Sequence, residues 1–386
     1  MLPETELRNG DLSRLVEILR AQADAKYDVV VPASRLAYRD GNLVVSGGAM
    51  RFDLDAVEEA DAVLTPTDVF DGGVSERLGI PRQYLRRMRE TGIMTSSGGE
   101  WPVRLLDANV NAWLAAEPGR KFLVRGFRTD DPDETGIARA LLSDRFAPID
   151  NLDVLMAALD GVRKAGVNVD ITAAHLTENA MRVQIEAPEI RALAPTLLAN
   201  YRSPFSAQPG RDLPVVHGGF EIRNGETGGA SFQIVPRIVV QVCKNGMTRT
   251  VDALRQVHLG GRLEEGVIRW SESTQRQAIE LVTAKAADAV ATFLDTAYVE
   301  KVIAEVESQA GVPVSDAAGT IERVAKAHQF SEAEQASILD CFIRSGDLTA
   351  GGVMQAVTAA AQTLDSPDRA ADLEDVALDV LATAAR

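Results

Sequence analysis

The residues with the clearest chemical potential are arginines that recur at helical spacing in the segment "VSERLGIPRQYLRRMRE". A short helix, a break at a glycine and a second helix entered at a proline give a helix-turn-helix outline. In the second helix Arg82, Arg86 and Arg89 are spaced i, i+4 and i+7, so they share one face. Arg87 lies beside them. Such a face can bind the phosphates of a nucleic acid, and the alternative is an amphipathic surface helix with a solvated basic side.

The charge of the surrounding segment supports the first interpretation. Between Glu76 and Arg128 there are ten Lys or Arg and five Asp or Glu, in a chain whose net charge is −16. The other side of the arginine helix is expected to pack inward through Tyr84, Leu85 and Met88. Aromatic residues in or beside the segment are candidates for stacking on bases or for the core. They are Trp101, Trp113, Phe122 and Phe127.

We predict that basic residues of this segment bind phosphates in a groove. Basic residues further along the chain would extend this groove if a later hairpin lines it. The predicted phosphate-binding residues are Arg82, Arg86, Arg87, Arg89, Lys121, Arg125, Arg128, Arg145, Lys244 and Arg249.

The sequence lacks several common catalytic and metal-binding motifs. No Gly-Lys dipeptide occurs, so the phosphate-binding loop of many nucleotide hydrolases is excluded, and no G-x-S-x-G elbow is present. The four histidines are scattered, and Cys243 and Cys341 form neither a C-x-x-C motif nor a disulfide framework. We predict no cofactor, no bound metal and two free thiols in a reducing compartment. Carboxylates that could still hold Mg²⁺ are Asp53, Asp55, Asp130, Asp131, Asp133, Glu134, Asp144 and Asp150.

The elements that must position these residues can be read from apolar periodicity and turn signals. A helix follows Asp11, and Asp40-Gly41 predicts a tight hairpin. Residues 215–250 predict a hairpin around "NGETGG" and a second turn at "KNGM", and one long helix begins near Ser271. Three helix starts are marked by Ser331, Thr349 and Ser366.

These elements predict an α+β fold with an antiparallel sheet, hairpins, a long packed helix and a small all-helical C-terminal module. The predicted regions are 1–75, acidic and mixed α/β, 76–310, a central α+β domain, and 311–386, the helical module. No run of eighteen apolar residues and no signal-like N-terminus occur, so we expect a cytoplasmic protein with no membrane partner.

Four segments resemble the phage/plasmid-like proteins grouped under a domain of unknown function. They are "RLGIPRQYLRRM", "NVNAWL" with "LVRGF", "LLSDRFAPIDNLDVL" and "IRNGETGGASFQIVPRIVVQVCKNGM". The resemblance spans about residues 70 to 300, and it implies a place in phage DNA metabolism without supplying catalytic residues. The strand-hairpin-strand followed by one long helix is also similar to the core of single-strand annealing proteins, which is an analogy of fold.

The leading hypothesis is therefore a non-enzymatic, homo-oligomeric protein that binds or anneals single-stranded DNA in phage-type recombination or replication. The first alternative is an acidic protein-interaction factor, such as an inhibitor of a host protein, which binds no nucleic acid. A further alternative is a metal-dependent enzyme that uses Asp144 and Asp150.

Overall fold

The computed structural model describes residues 2–46, 50–52, 57–59, 61–89, 101–129, 131, 134–146, 148–241, 246–256, 266–267 and 272–386. With 49% helix and 28% strand and with both antiparallel and mixed sheets, the fold is α+β, as predicted.

The described strands and helices follow the chain in this order. The strands are β1 (Leu7–Gly10), β2 (Lys26–Pro32), β3 (Leu36–Arg39), β4 (Asn42–Val45), β5 (Met50–Phe52), β6 (Val57–Glu59), β7 (Ala62–Pro66), β8 (Lys121–Phe127), β9 (Gly136–Ser143), β10 (Asp170–Leu176), β11 (Met181–Leu193), β12 (Val215–Gly225), β13 (Ala230–Val240), β14 (Gly246–Thr248), β15 (Leu254–Gln256) and β16 (Gly266–Val267). The helices are α1 (Leu12–Asp24), α2 (Asp68–Leu78), α3 (Arg82–Arg89), α4 (Trp101–Ala116), α5 (Asn151–Ala165), α6 (Pro195–Leu198), α7 (Glu272–Phe293), α8 (Thr296–Ala310), α9 (Ala317–His328), α10 (Glu332–Ser345), α11 (Ala350–Ala361), α12 (Pro367–Asp375) and α13 (Ala377–Ala384).

Seven strands form an antiparallel sheet in the order β1-β10-β11-β12-β13-β14, with β15 also paired to β13. Along β11 the apolar Met181, Val183 and Ile185 are buried, while the polar residues between them turn to the other face. The apolar face packs on α1, α5 and α7 in one core. The antiparallel sheet therefore has one apolar side and one charged side.

Seven other strands form a mixed sheet in the order β16-β2-β8-β9-β7-β4-β3, in which β7 and β9 run parallel. A second core joins this sheet to α2, α3 and α4 and includes Phe70, Leu85 and Leu106. The short strands β5 and β6 pair with each other. The arginine helix α3 therefore packs on the mixed sheet.

Local turn signals in the sequence are confirmed. Asp40 and Gly41 both have positive φ, of 50° and 79°, in the turn between β3 and β4, as an Asp-Gly pair favours. The hairpin of β12 and β13 closes from Gly225 to Ala230 around the predicted turn. β13 also pairs with β14, and the predicted turn between them lies in residues 242–245, outside the described residues.

The predicted helix signals are confirmed as well. Asp11 accepts a hydrogen bond from the Arg14 backbone at the start of α1, and α7 supplies the expected long helix. Ser331 and Glu334 form a complete capping box, and Thr349 and Ser366 cap α11 and α12.

Packing crosses the predicted region boundaries near residues 75 and 310. β1 and α1 belong to the antiparallel sheet, whereas β2 to β7 do not. The C-terminal helices share a continuous core with sheet residues such as Val216 and Ile238, and every residue of α11 is buried. The physical reason is that α11 has no polar side to leave in water. The division into three regions, with a C-terminal module that is separable in principle, stays a prediction.

Among the helices that the structure describes, none is both long enough and apolar enough to cross a membrane.

The contact between α5 and α7 gives a test of the packing. A Cβ at Gly161 would lie 2.7 Å from the Ala286 Cβ and 2.9 Å from the Thr283 carbonyl oxygen. Gly161→Leu should therefore lower the free energy of unfolding, measured in urea, by about 1–3 kcal/mol despite its better helix propensity. The control is Met156→Leu, at a half-exposed position of α5. Equal stability of the two variants would contradict this close crossing of helices.

Candidate functional site

The arginine helix is positioned by a sharp break after α2. Gly79 ends α2 in the left-handed conformation, with φ of 72°, and α3 begins three residues later. Leu85 and Met88 of α3 are buried in the core of the mixed sheet, as predicted. The helix-break-helix outline inferred from the sequence is therefore present.

Three of the predicted arginines form an exposed side of α3. Arg82, Arg86 and Arg87 are all exposed, and Arg82 Nη2 donates a hydrogen bond to the Asp68 carbonyl at 3.3 Å. We call these three residues the α3 arginine face. Their side chains extend from a helix that is anchored in the core through Leu85 and Met88, so the backbone that carries them is positioned before any ligand binds.

Arg89 does not belong to this face. Its guanidinium pairs with the buried carboxylate of Asp71 and donates to the Gly41 carbonyl oxygen at 2.9 Å. Burial lowers the pKa of Arg89, and the pair with Asp71 more than restores it. Arg89 thus ties α3 to α2 and to the β3–β4 turn instead of facing a phosphate.

The aromatic residues divide between surface and core. Tyr84 was expected to turn inward, but the residue is 39% exposed, because successive helix residues point about 100° apart and Tyr84 lies beside the face that Leu85 and Met88 bury. Trp113 is also exposed, whereas Phe122 and Phe127 are buried core residues. The side chain of Trp101 lies outside the described residues. Tyr84 is thus the aromatic residue that adjoins the α3 arginine face.

The remaining predicted basic residues are dispersed. Lys121 and Arg128 are half-buried on β8 and just after it, and the Arg128 guanidinium lies 5.9 Å from the Tyr27 ring centre. Arg145 is exposed. Arg249 is paired with Asp252 at 2.7 Å and with Glu305 at 2.6 Å. Lys244 lies outside the described residues.

Arg125 has a different environment from the one expected of a phosphate-binding residue. It is 3% exposed and lies between the two sheets, where Nε is 3.0 Å from an Asp28 oxygen and Nη2 is 2.6 Å from Asp150. Nη1 donates to the Glu226 carbonyl oxygen at 2.7 Å. All the nitrogens of its guanidinium are engaged, so we leave Arg125 out of the proposed nucleic-acid surface.

A second buried arginine completes this group of charges, which we call the junction network. Arg139 Nη1 lies 2.6 Å from the Glu226 carboxylate, whose other oxygen accepts from the Asn151 backbone N–H at 3.1 Å. Asn224 Nδ2 donates to the Asn151 side chain at 2.9 Å. The hairpin of β12 and β13 is thus connected to the start of α5 and to β9 of the mixed sheet.

The electrostatics of the junction network favour full ionisation. Burial opposes the charge on Asp150, but Arg125 and Lys26 hold its pKa well below the ordinary value. The pKa of Glu226 is lowered in the same way, because the attraction of Arg139 and Arg125 outweighs the effect of burial. Charges that are buried but paired in this way stabilise one arrangement of the two sheets.

The junction network brings together three of the segments that carry the family resemblance. Arg125 lies in "LVRGF", Asp150 and Asn151 in "LLSDRFAPIDNLDVL", and Asn224 and Glu226 in "IRNGETGG". The spacing of these residues in the sequence gave no sign that they meet.

The described residues provide no set of ligands for the metal ion of the metal-dependent enzyme hypothesis. No group of three or more His, Cys, Asp or Glu among them is arranged to hold a metal ion. Asp150 is engaged with Lys26 and Arg125, and Cys341 is a buried free thiol. The candidate carboxylates Asp53, Asp55, Asp130 and Asp133, together with Cys243, lie outside the described residues.

A second cluster of charges, on the polar face of the antiparallel sheet, was missed entirely at the level of sequence. Arg223 forms two bonds of 2.6 and 2.7 Å to Asp375, and Arg237 forms one of 2.9 Å to Glu374. Glu221 is fully buried beneath them. The acids of α12 and the arginines of β12 and β13 are more than a hundred residues apart, so no local pattern could reveal the cluster.

Comparisons of the chain with models of known protein families, with curated proteins and with solved structures each gave no match. The resemblance to phage/plasmid-like proteins stays a prediction.

The junction network predicts a pH-dependent effect of removing its central arginine. Arg125→Met leaves the buried Asp28 carboxylate and the partly exposed Asp150 carboxylate with Lys26 as their remaining cation. Above about pH 5 the free energy of unfolding should therefore be lower than in the original protein by about 2–4 kcal/mol. The pKa of Asp150 is lowered in the folded state, so its contribution to stability is present above the unfolded pKa and is lost as pH falls. The difference between the two proteins should therefore shrink below about pH 4.

The measurement is urea unfolding over a range of pH, with Arg163→Met as a control. Arg163 is 77% exposed and forms a surface ion pair with Asp160, so this variant should match the original protein at every pH. A constant difference for Arg125→Met at all pH values would contradict the ion-pair interpretation.

Proposed function

We propose that the protein is a non-enzymatic single-stranded nucleic-acid binding protein that contacts phosphates through the α3 arginine face. The observation that carries the proposal is the exposure of Arg82, Arg86 and Arg87 on one helix, within a chain of net charge −16. The negative charge of the whole chain repels polyanions, so a phosphate backbone is attracted only where positive charge is concentrated.

The position of Tyr84 supports a preference for single strands. Its ring is 39% exposed on the same short helix as the three arginines. An unstacked base can lie on such a ring while the neighbouring guanidinium groups contact phosphates, whereas bases in a duplex are already stacked on each other. We therefore assign phosphate contact to the α3 arginine face and base stacking to Tyr84.

The biological setting of the proposal rests on the family resemblance. The resemblance to phage/plasmid-like proteins implies a role in phage-type recombination or replication, where single strands are covered or annealed. Proteins with such roles bind along a strand and commonly cooperate, so we also propose that this chain acts as a homo-oligomer.

A second candidate function, protein interaction without nucleic-acid binding, is favoured by one surface. Phe205, Ile343 and Leu348 expose 48%, 69% and 62% of their surface. Their segments are neighbours, because the Arg202 backbone N–H donates to the Ser345 carbonyl at 3.2 Å. Exposed apolar groups that lie together are typical of protein contacts.

The test of the first proposal is fluorescence anisotropy with labelled single- and double-stranded oligonucleotides at about 50 and 200 mM salt. If the protein makes three phosphate contacts on a single strand, raising the salt from about 50 to about 200 mM should lower its affinity about 20-fold. The variant Arg82→Gln, Arg86→Gln, Arg87→Gln should lose most of the affinity and lower the slope of log affinity against log salt by about 2. Tyr84→Ala should weaken single-strand binding and leave any duplex binding unchanged.

The matched control removes three positive charges elsewhere, through Arg163→Gln, Lys164→Gln and Arg211→Gln. These side chains are 77%, 55% and 73% exposed, so the variant has the same net charge with an intact α3 arginine face. Equal loss of binding in both triple variants would show a general charge effect and contradict the site. No binding at either salt concentration would favour the protein-interaction candidate.

A further inference from the structure

Helix α10 has one side in the core and one side in water. Ile338, Cys341 and Phe342 are buried in the core that the C-terminal helices share with β12 and β13. Successive residues of a helix point about 100° apart, so the residues that face away from these three follow from their spacing. They are all exposed, and we call them the α10 outer face: Ala333, Ala336, Asp340, Ile343 and Arg344.

The apolar part of this surface lies at the C-terminal end of α10. Ile343 is 69% exposed, and Leu348, just beyond the helix, is 62% exposed. Phe205, 48% exposed, belongs to a segment that is held against the same end, because Arg344 donates a hydrogen bond to the Pro204 carbonyl oxygen. Neighbouring apolar groups that all face water are typical of a surface that a protein partner covers.

The backbone that carries the α10 outer face is fixed at both ends. The capping box of Ser331 and Glu334 starts the helix, and Gly346, with φ of 70°, ends it. The Arg202 backbone N–H donates to the Ser345 carbonyl oxygen at 3.2 Å and connects the segment after it to the helix end. Because this backbone is already in place, a partner can bind without the cost of ordering it.

The charges of the α10 outer face select a second copy of the chain as the partner. Two chains with a net charge of −16 each repel one another wherever both surfaces are acidic. On this face, however, Asp340 and Arg344 balance each other at 3.5 Å, with side chains 65% and 51% exposed. A second copy that runs in the opposite direction presents the same two charges in reverse order, so each charge meets its opposite.

We propose that α10 packs antiparallel on α10 of a second copy, about a twofold axis at the level of Phe342. Asp340 of each copy then faces Arg344 of the other, and the two Ile343 side chains meet beside the axis. The inference rests on the homo-oligomer of the proposed function and names the surface through which it forms.

The sizes of the side chains fit this arrangement. Ala333 and Ala336 make the N-terminal half of the outer face small, whereas the bulky apolar groups lie at its C-terminal end. In an antiparallel pair the C-terminal end of one helix lies against the N-terminal half of the other, so Leu348 of one copy has space beside Ala336 of the other. Large groups therefore meet small ones at both ends of the contact.

The first test is sedimentation velocity of the full chain over a range of protein concentrations, without nucleic acid. The original protein should reach the mass of two chains of 41.4 kDa each. Ile343→Glu brings two carboxylates together beside the axis and should raise the dissociation constant at least about tenfold. Circular dichroism checks that each variant is folded.

The matched control is Leu281→Glu, the same change of charge at a position of α7 that is 47% exposed. It should dimerise like the original protein. A monomeric original protein at every concentration, or equal dissociation constants for Ile343→Glu and Leu281→Glu, would overturn the proposal.

The second test depends on the reciprocal charges. Asp340→Arg alone places Arg344 of one copy opposite a new cation of the other, and Arg344→Glu alone places two carboxylates opposite each other, so each variant should dimerise at least about tenfold more weakly. When the two variants are mixed in equal amounts, both contacts of the mixed dimer join opposite charges. Native mass spectrometry, which separates the three dimers by mass, should therefore show mainly the mixed dimer, and a failure to form it would contradict the antiparallel arrangement.

Oligonucleotide binding separates this inference from the nucleic-acid proposal. The α3 arginine face belongs to the core of the mixed sheet, so Ile343→Glu should still bind a short single-stranded oligonucleotide. A monomeric original protein that binds the oligonucleotide would overturn the dimer alone. A dimer that is lost in Ile343→Glu, from a protein that binds no oligonucleotide, would support the dimer and contradict the nucleic-acid proposal.

Discussion

One buried guanidinium determines how the two sheets of this protein are joined. Arg125 is the central residue of the junction network and contacts three chain segments, β2, the start of α5 and the β12–β13 turn. A buried charge is costly unless it is fully paired, so the three segments must meet in one arrangement. This requirement fixes the mixed sheet, with α3 on it, relative to the antiparallel sheet.

The need to pair buried charges also determines the packing on the polar face of the antiparallel sheet. The polar face of the antiparallel sheet is covered by α12, whose acids pair with the arginines of β12 and β13. Glu221, fully buried beneath them, has a pKa lowered to about 2, because its arginine neighbours outweigh the effect of burial. Buried ion pairs therefore attach α12 to the polar face of the sheet, in addition to the apolar core that the C-terminal helices share with β12 and β13.

The fold was largely predictable because its signals are local. The Asp40-Gly41 turn, the capping box of Ser331 and Glu334, and the buried stripe of α7 each depend on neighbouring residues only. The α+β class follows from counting such elements. The region boundaries were less informative, since the core that joins β12 and β13 to the C-terminal helices depends on contacts between distant segments.

The candidate sites were only partly predictable, for a related reason. Residue type shows that Arg82 and Arg125 are both cations, but only the fold shows that the first is exposed and the second is enclosed by carboxylates. Tyr84 was expected to be buried, but it lies at the edge of the buried face of an eight-residue helix, where residue type alone does not decide exposure. The pairs of Arg223 with Asp375 and of Arg237 with Glu374 join residues more than a hundred positions apart, and no spacing rule covers these.

Amide hydrogen exchange of the full chain, with and without a saturating single-stranded oligonucleotide, tests the central claim most directly, because it locates the bound strand on the molecule. The account predicts slower exchange in α3 and at its junction with α2, reversed by high salt. Protection confined to other elements, or no change on addition of the strand, would contradict it.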